Sequence, residues 1–302
     1  MGLNSTCFMA SFLGIDLAWR GGNNTSAISV AQVSGERLLL LLILVMGITF
    51  FGPNPALPQE TLETQSITFR LIPGGYYLLG SPLSESGRYA DEVISHRIRV
   101  DSFYIAATET TNAQYARFLK AAGHRPPLYW EDKNLNAPNQ PVVGVTWHDA
   151  AAFTQWLTQV SGVPHRLPTE QEWEAAARGG LTGQPFPWGA EAPDAGGVFR
   201  ANFRNDRTAK DGFLLSAPVG SFPPNGYGLF DMAGNVAEWC LDRYHPLSSG
   251  GPFKPGVLRV LKGGSWFSQA RDLRCSARQA AAPDYADGYI GFRVARAAPP
   301  ES

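Results

Sequence analysis

The stretch Asn225-Gly-Tyr-Gly-Leu-Phe-Asp-Met-Ala-Gly-Asn-Val-Ala-Glu-Trp-Cys-Leu-Asp242 constrains the fold more than any other part of the chain. Gly226, Gly228 and Gly234 open backbone conformations closed to other residues, while Leu229, Phe230, Val236 and Trp239 supply apolar anchors between them. The mixture predicts an irregular but rigid buried segment. Such backbone has few ladder partners, so its polar groups must be satisfied some other way. A hard cation held by Asp231 and Glu238 is one candidate. Acceptance of backbone N–H groups in tight turns by the same carboxylates is the other.

With 302 residues, 44% of them hydrophobic, the chain can bury a substantial core. Its 32 glycines, 23 prolines and 8 tryptophans point to a loop-rich fold of short elements. A formal charge of -1 without a basic run gives no basis for a nucleic-acid partner. Cys7, Cys240 and Cys275 are too few for a disulfide scaffold. CxxC, HExxH and phosphate-loop motifs are absent from the sequence.

Residues 38–52 form an apolar run of about 15 residues, short of the roughly 18 to 20 that span a bilayer comfortably. This fits a secretory signal or a short membrane anchor, followed by a proline-rich linker over 53–65. The expectation is therefore an exported protein, periplasmic or anchored with its domain outside the cytoplasm. Within the N-terminal extension 1–36, Phe12 to Trp19 and Ser26 to Ala31 read as two strands joined by a turn. They resemble the first hairpin of ribonuclease H-like domains, but a match of about 20 residues is too short to bury a core and carries no activity. A misassigned start or the remnant of a fusion explains this extension.

Beyond the linker, Ile67-Thr-Phe-Arg-Leu-Ile72 alternates like a strand, as does Arg97 to Ile105, with Ile98, Val100 and Phe103 inward. Thr111-Asn-Ala-Gln114 is a capping box opening a helix with Tyr115, Phe118, Leu119 and Ala122 on one face, closed by Gly123. Thr146 caps a second helix that buries Ala150, Phe153, Trp156, Leu157 and Val160 and stops at Gly162. Thr169 and Glu172 cap a third, where Glu170, Glu172 and Glu174 favour the positive end of the helix. After Gly179 no helical period is sustained. Helices first and irregular β-structure later make an α+β arrangement.

Several motifs then occur in a fixed order: Phe103-Tyr-Ile-Ala-Ala-Thr-Glu-Thr-Thr-Asn-Ala-Gln-Tyr115, Pro141-Val-Val-Gly-Val-Thr-Trp147, Arg166-Leu-Pro-Thr-Glu-Gln-Glu-Trp-Glu174, the 225–239 stretch, Gly263-Gly-Ser-Trp266 and Gly291-Phe-Arg293. Together they resemble the formylglycine-generating enzyme, or sulfatase-modifying factor, family over residues 66–297, leaving 298–302 as a tail. The resemblance implies a C-type-lectin-like α+β fold with little regular secondary structure. It also implies structural calcium. Asp231, Glu238 and the carbonyls of Gly234 and Val236 match one calcium site of the sulfatase-activating members. Asn202 and Asp211, with the carbonyls of Phe203 and Phe213, match a second. All are oxygen donors, as calcium requires, and water would complete each set.

Sulfatase-activating members use two cysteines just after the Gly-Gly-Ser motif to hold copper(I) and capture a substrate thiol. Here Ser268 stands at the first position, the second falls in a shorter stretch without cysteine, and Ala237 replaces an active-site tryptophan. A serine hydroxyl cannot replace a thiolate for copper(I), so copper is not expected. Cys240 and Cys275 could pair as a disulfide or stay as separate buried thiols. The five histidines of the sequence show no ligand spacing. Ser265, Ser268 and Arg271 occupy the segment that forms the family's active groove and are the candidate groove residues. Arg271, Arg274, Arg278 and Arg293 read as buried arginines tying loops together, with a groove-facing role the alternative for Arg271. Family members associated with nitrite reductase clusters and with pyoverdine chromophore maturation similarly lack the cysteine pair. The expected function is that of an exported maturation or accessory factor for a client protein or peptide. A non-catalytic binding module and an oxidoreductase with an undisplayed metal site are the alternatives.

Overall fold

The computed structural model describes residues 61–204, 209–245 and 257–299. The extension 1–36, the apolar run 38–52 and the linker as far as residue 60 lie outside the described residues. Within them, no helix is long and apolar enough to cross a membrane.

The first part of the domain is one long bent hairpin. β2 (Ile67–Ile72) runs through Pro73 and Gly74 into β3 (Gly75–Leu79), and β4 (His96–Val100) runs through Asp101 and Ser102 into β5 (Phe103–Ala106). β2 pairs antiparallel with β5, and β3 with β4. The alternation from Arg97 to Ile105 is thus two strands with a break at 101–102, where the ladder passes from one sheet to the next. β1 (Thr61–Thr64) adds to β2 antiparallel. This corrects the linker boundary, because residues 61–64 belong to the sheet. Its turn uses Gln65 and Ser66, both with positive φ, and carries none of the Gly or Asn that would mark it in a sequence. Gln114 Nε2 and Arg117 Nη1 hold it by donating to the Ser66 and Gln65 carbonyls.

Three helices follow: α1 (Asn112–Ala122), α2 (Trp147–Ser161) and α3 (Glu170–Ala177). Each opens on the threonine that the sequence marks, Thr111, Thr146 or Thr169, with a reciprocal capping box to the residue three further on. Gly123 and Gly162 close the first two in the left-handed conformation. Tyr115 and Phe118 of α1 pack on Phe153 and Trp156 of α2, with the Tyr115 and Phe153 rings stacked at 5.7 Å. Two expected core positions face outward instead. Val160 is 46% exposed, and Ala122 lies on the solvent side of the last turn of α1.

The C-terminal half is short strands joined by turns. β6 (Ala237–Arg243) pairs antiparallel with β7 (Arg259–Lys262) and parallel with β9 (Ile290–Gly291). β8 (Gln279–Ala281) forms the outer strand on β7. β10 (Ala295–Ala297) returns to β5 and completes the first sheet in the order β1-β2-β5-β10. Two apolar clusters hold the layers. One gathers Phe69, Tyr115, Phe153, Trp239 and Phe292; the other gathers Ile72, Phe103, Trp173, Leu229, Val260 and both described cysteines.

Candidate functional site

The 225–242 segment is wired as a hub between these layers. Asn225 donates through Nδ2 to the Ala176 and Ala177 carbonyls at the end of α3, while its Oδ1 accepts the N–H groups of Tyr227 and Leu229. Gly226 is required by contact, since a Cβ there would lie 2.2 Å from the Gly179 oxygen. Gly234 has φ +80° and would place a Cβ 2.2 Å from the Asn202 oxygen. Fully buried Asn235 accepts from Ala217 N–H and Asn202 Nδ2 through Oδ1 and donates from Nδ2 to Glu109 Oε1. The segment therefore satisfies its irregular backbone with side-chain amides, a device that sequence periodicity does not display.

The carboxylates expected to hold cations sit as follows. Glu238 is in the core, paired with Arg293 through two hydrogen bonds of 2.7 Å each, and it also accepts from Trp173 Nε1. Asp231 Oδ2 accepts the Gly220 N–H at 2.6 Å. Glu109 was not singled out from the sequence, yet its Oε2 is buried and meets no donor. Burial, joined by the charge of Asp231, pushes Glu109 well above the usual carboxylate range, and burial raises Asp231 to about 6. Glu109, Asp231 and Glu238 thus surround one guanidinium, Arg293. For a divalent cation the oxygen donors here would be Asp231 and the unpartnered Glu109 oxygen, with Glu238 already committed to Arg293. Among the described residues no three His, Cys, Asp or Glu side chains converge in metal-binding geometry, so carbonyls and water would supply most of the shell.

At the second expected position Asp211 meets Phe203 and Phe213 through their N–H groups, while the Asn202 amide is engaged elsewhere. Asp211 draws Phe203 and Phe213 to its carboxylate, accepting both of their N–H groups at 3.1 and 3.2 Å. Asn202 donates to the Leu215 carbonyl and to Asn235.

The Gly-Gly-Ser turn opens a groove of about 680 Å³. Ser265 and Ser268 line it with their hydroxyl oxygens 3.2 Å apart, and the Ser265 N–H donates to Ser268 Oγ. Arg271, the third candidate, does not line it; its guanidinium lies over the Tyr89 ring on the outer surface. The other walls are Phe267, Asp272, Gln279, Tyr285 and Tyr289, with Leu258, Leu261 and the alanines at 280–282. The sequence reading missed Tyr285 and Tyr289, although two tyrosines flanking Asp287 were a visible signal. Tyr285 donates to Asp287, and its hydroxyl lies 3.3 Å from that of Tyr289. These contacts, the Tyr289 hydroxyl first and Asp287 second, push the Tyr285 phenol upward, so it remains protonated.

Neither described cysteine lines this groove. Both are free, fully buried and part of the second apolar cluster. Burial raises Cys240 well above the ordinary thiol range and takes Cys275 to about 12, so both are neutral thiols at physiological pH. Arg274, Arg278 and Arg293 are buried and tie distant loops together as expected; Arg271, expected to join them, is exposed instead.

A family model described as "Sulfatase-modifying factor enzyme 1-like domain" matches residues 55–298. The chain belongs to the sulfatase-modifying factor family. It is 34% identical over 299 residues to the formylglycine-generating enzyme of Streptomyces coelicolor, covering 80% of this chain and 92% of that protein. A mouse relative named inactive C-alpha-formylglycine-generating enzyme 2 is 41% identical over 165 residues, 52% of this chain and 49% of that one. Among solved structures, PvdO from Pseudomonas aeruginosa superposes with a TM-score of 0.68 at 30% identity, covering 82% of this chain and all of that one. The fold is thus that of the family, α+β with little regular secondary structure. The family so includes both formylglycine-generating enzymes and a relative named as inactive.

Proposed function

We propose that this chain is an exported maturation or accessory factor that engages a segment of a partner protein in the groove beside Ser265 and Ser268, without copper–thiolate chemistry. One observation carries the reading: where activating relatives place the first of their two cysteines, this groove carries the Ser268 hydroxyl, 3.2 Å from that of Ser265, and no cysteine lines it. Hydroxyls are poor donors to copper(I). The two described thiols, Cys240 and Cys275, are buried, un-ionised and walled off by the core, so neither can capture a substrate.

Each element then has a part. The capped helices and the 225–242 hub hold the groove-forming turn rigidly against Trp173, which a side chain at Gly263 would crowd at 3.0 Å. Calcium at Asp231, and a second ion beside Asp211, would pin the irregular loops that flank it. The apolar run at 38–52 would deliver the domain across a membrane or keep it there. The reading is tested by co-purification from envelope fractions of the native host. The chain is expected to retain a partner protein that Ser268→Trp, which fills the groove, releases, while Lys120→Trp on the exposed end of α1 does not. Equal recovery with both variants would refute it.

A further inference from the structure

β8 ends its sheet. It pairs with β7 on one side, and no described strand pairs with its other edge. The register sets Leu261 opposite Gln279 and Val260 opposite Ala280. Leu261 packs into the first apolar cluster and Val260 into the second, so these two pairs point to opposite faces of the sheet. Yet Gln279, Ala280 and Ala281 all line the groove. A run of consecutive residues whose side chains alternate can line one cavity only if its backbone runs along that cavity. In an antiparallel pair, every second residue turns its N–H and C=O away from its partner strand. The groove is therefore floored by a strand edge with main-chain donors and acceptors available for pairing. The edge is short: beyond it the Ala282 carbonyl accepts the Tyr285 N–H and the Pro283 carbonyl accepts the Trp147 N–H.

The side chains around this edge select what could lie on it. Alanine at 280, 281 and 282 leaves room for another backbone, and Ser265, Ser268, Tyr285 and Tyr289 offer hydroxyls opposite. Asp272 is the one charged residue in the lining; its Oδ1 accepts from the Tyr89 hydroxyl and its Oδ2 from the Gln269 N–H, which leaves one lone pair on each oxygen. The lining itself thus offers a carboxylate to meet a cation, and a guanidinium on this wall, that of Arg204, is stacked on the Phe267 ring.

We propose that an extended segment of the partner protein adds to β8 as a further strand, with small neutral residues against the alanines and a lysine or arginine directed at Asp272. This deepens the accessory-factor reading and rests on the groove being its site. Strand addition draws affinity from main-chain hydrogen bonds and selectivity from alternate side chains.

The test uses the full chain and a blocked, fluorescein-labelled heptapeptide of alternating alanine and threonine with a central arginine, read by fluorescence anisotropy. N-methylation of the peptide on one alternate set of residues should weaken binding at least tenfold, and on the other set less than twofold. Glutamate in place of the central arginine should also weaken it at least tenfold. Equal effects of the two N-methylated sets, or no binding by the arginine peptide, would overturn strand addition. Binding abolished by Ser268→Trp but indifferent to N-methylation would keep the groove reading and sink the strand. Binding unchanged in Ser268→Trp would place the peptide elsewhere and sink both. A dimer that Ala280→Pro dissolves would give the edge to a second copy of the chain and overturn the proposal as well.

Discussion

Replacing Glu92 by glutamine removes one charge from a buried network while keeping its shape. Glu92 Oε2 accepts from Arg274 Nη1 at 2.9 Å, Ser81 Oγ at 2.6 Å and Ser276 Oγ at 3.0 Å, and Oε1 accepts from Arg274 Nη2 and the Tyr89 N–H. Arg274, 2% exposed at its side chain, also reaches Glu85 and the Gly87 carbonyl, so the network ties the 81–92 loop to the 274–276 segment. Burial alone would raise the Glu92 carboxyl, but the hydrogen bonds from Arg274, Ser81 and Tyr89 outweigh it and hold the group at about 2 rather than 4.5. That difference corresponds to on the order of 3 kcal/mol of stability, in the range for breaking a buried ion pair. Because the folded pKa is depressed, the contribution is complete above about 4.5 and is lost as pH falls toward about 2. Glu92→Gln should therefore unfold roughly 3 kcal/mol more easily at pH 7 and about half that or less at pH 3, measured by urea titration. A difference under about 1 kcal/mol at pH 7, or one that is the same at pH 3, would show that the network is not what holds this loop.

Gly234→Ala should cost several kcal/mol or prevent folding, because it forces a side chain into a positive-φ position against the Asn202 oxygen. Gly75→Ala, where an added Cβ meets nothing within 4 Å, should change stability by less than about 1 kcal/mol in the same denaturation series. Cys240 and Cys275 should resist a thiol reagent in the native chain and react together once urea unfolds the domain; rapid native labelling of either would contradict their placement. Adding calcium to a chelator-treated sample at about a hundred times its dissociation constant should stabilise the fold by about 2.7 kcal/mol, read as a rise in Tm. Asp231→Asn should reduce that rise, and an unchanged Tm with calcium would remove the ion from the account.

The helices were legible because their signals are local. Thr111, Thr146 and Thr169 each carry a cap partner three residues away, and the helix starts follow from that spacing alone. The hub was legible as irregular and buried only as far as residue 236; residues 237–242 extend instead as strand β6, with Leu241 exposed, and the wiring was not legible at all. Asn235 reaches Glu109 across 126 residues, and Glu92 reaches Arg274 across 182, distances over which a single sequence gives no pairing signal. Glu174 illustrates the same limit. Its place in a glutamate-rich helix start suggested helix-dipole electrostatics, whereas it is buried, pairs with Arg178 at 2.6 Å and faces Lys262 at 3.5 Å. The groove was half legible. Ser265 and Ser268 follow from their motif, but Gln279 and the tyrosines enter it only because β8 folds back on β7.

The central claim is that this groove binds a partner segment without sulfur-based oxidation. Its most direct test is mass spectrometry of a cysteine peptide of the sulfatase type, incubated with the purified full chain, copper(I) and dioxygen. The expected product is the unmodified cysteine peptide, in the same amount as without the protein. Turnover of that cysteine to an aldehyde would contradict the account, whatever the groove also binds.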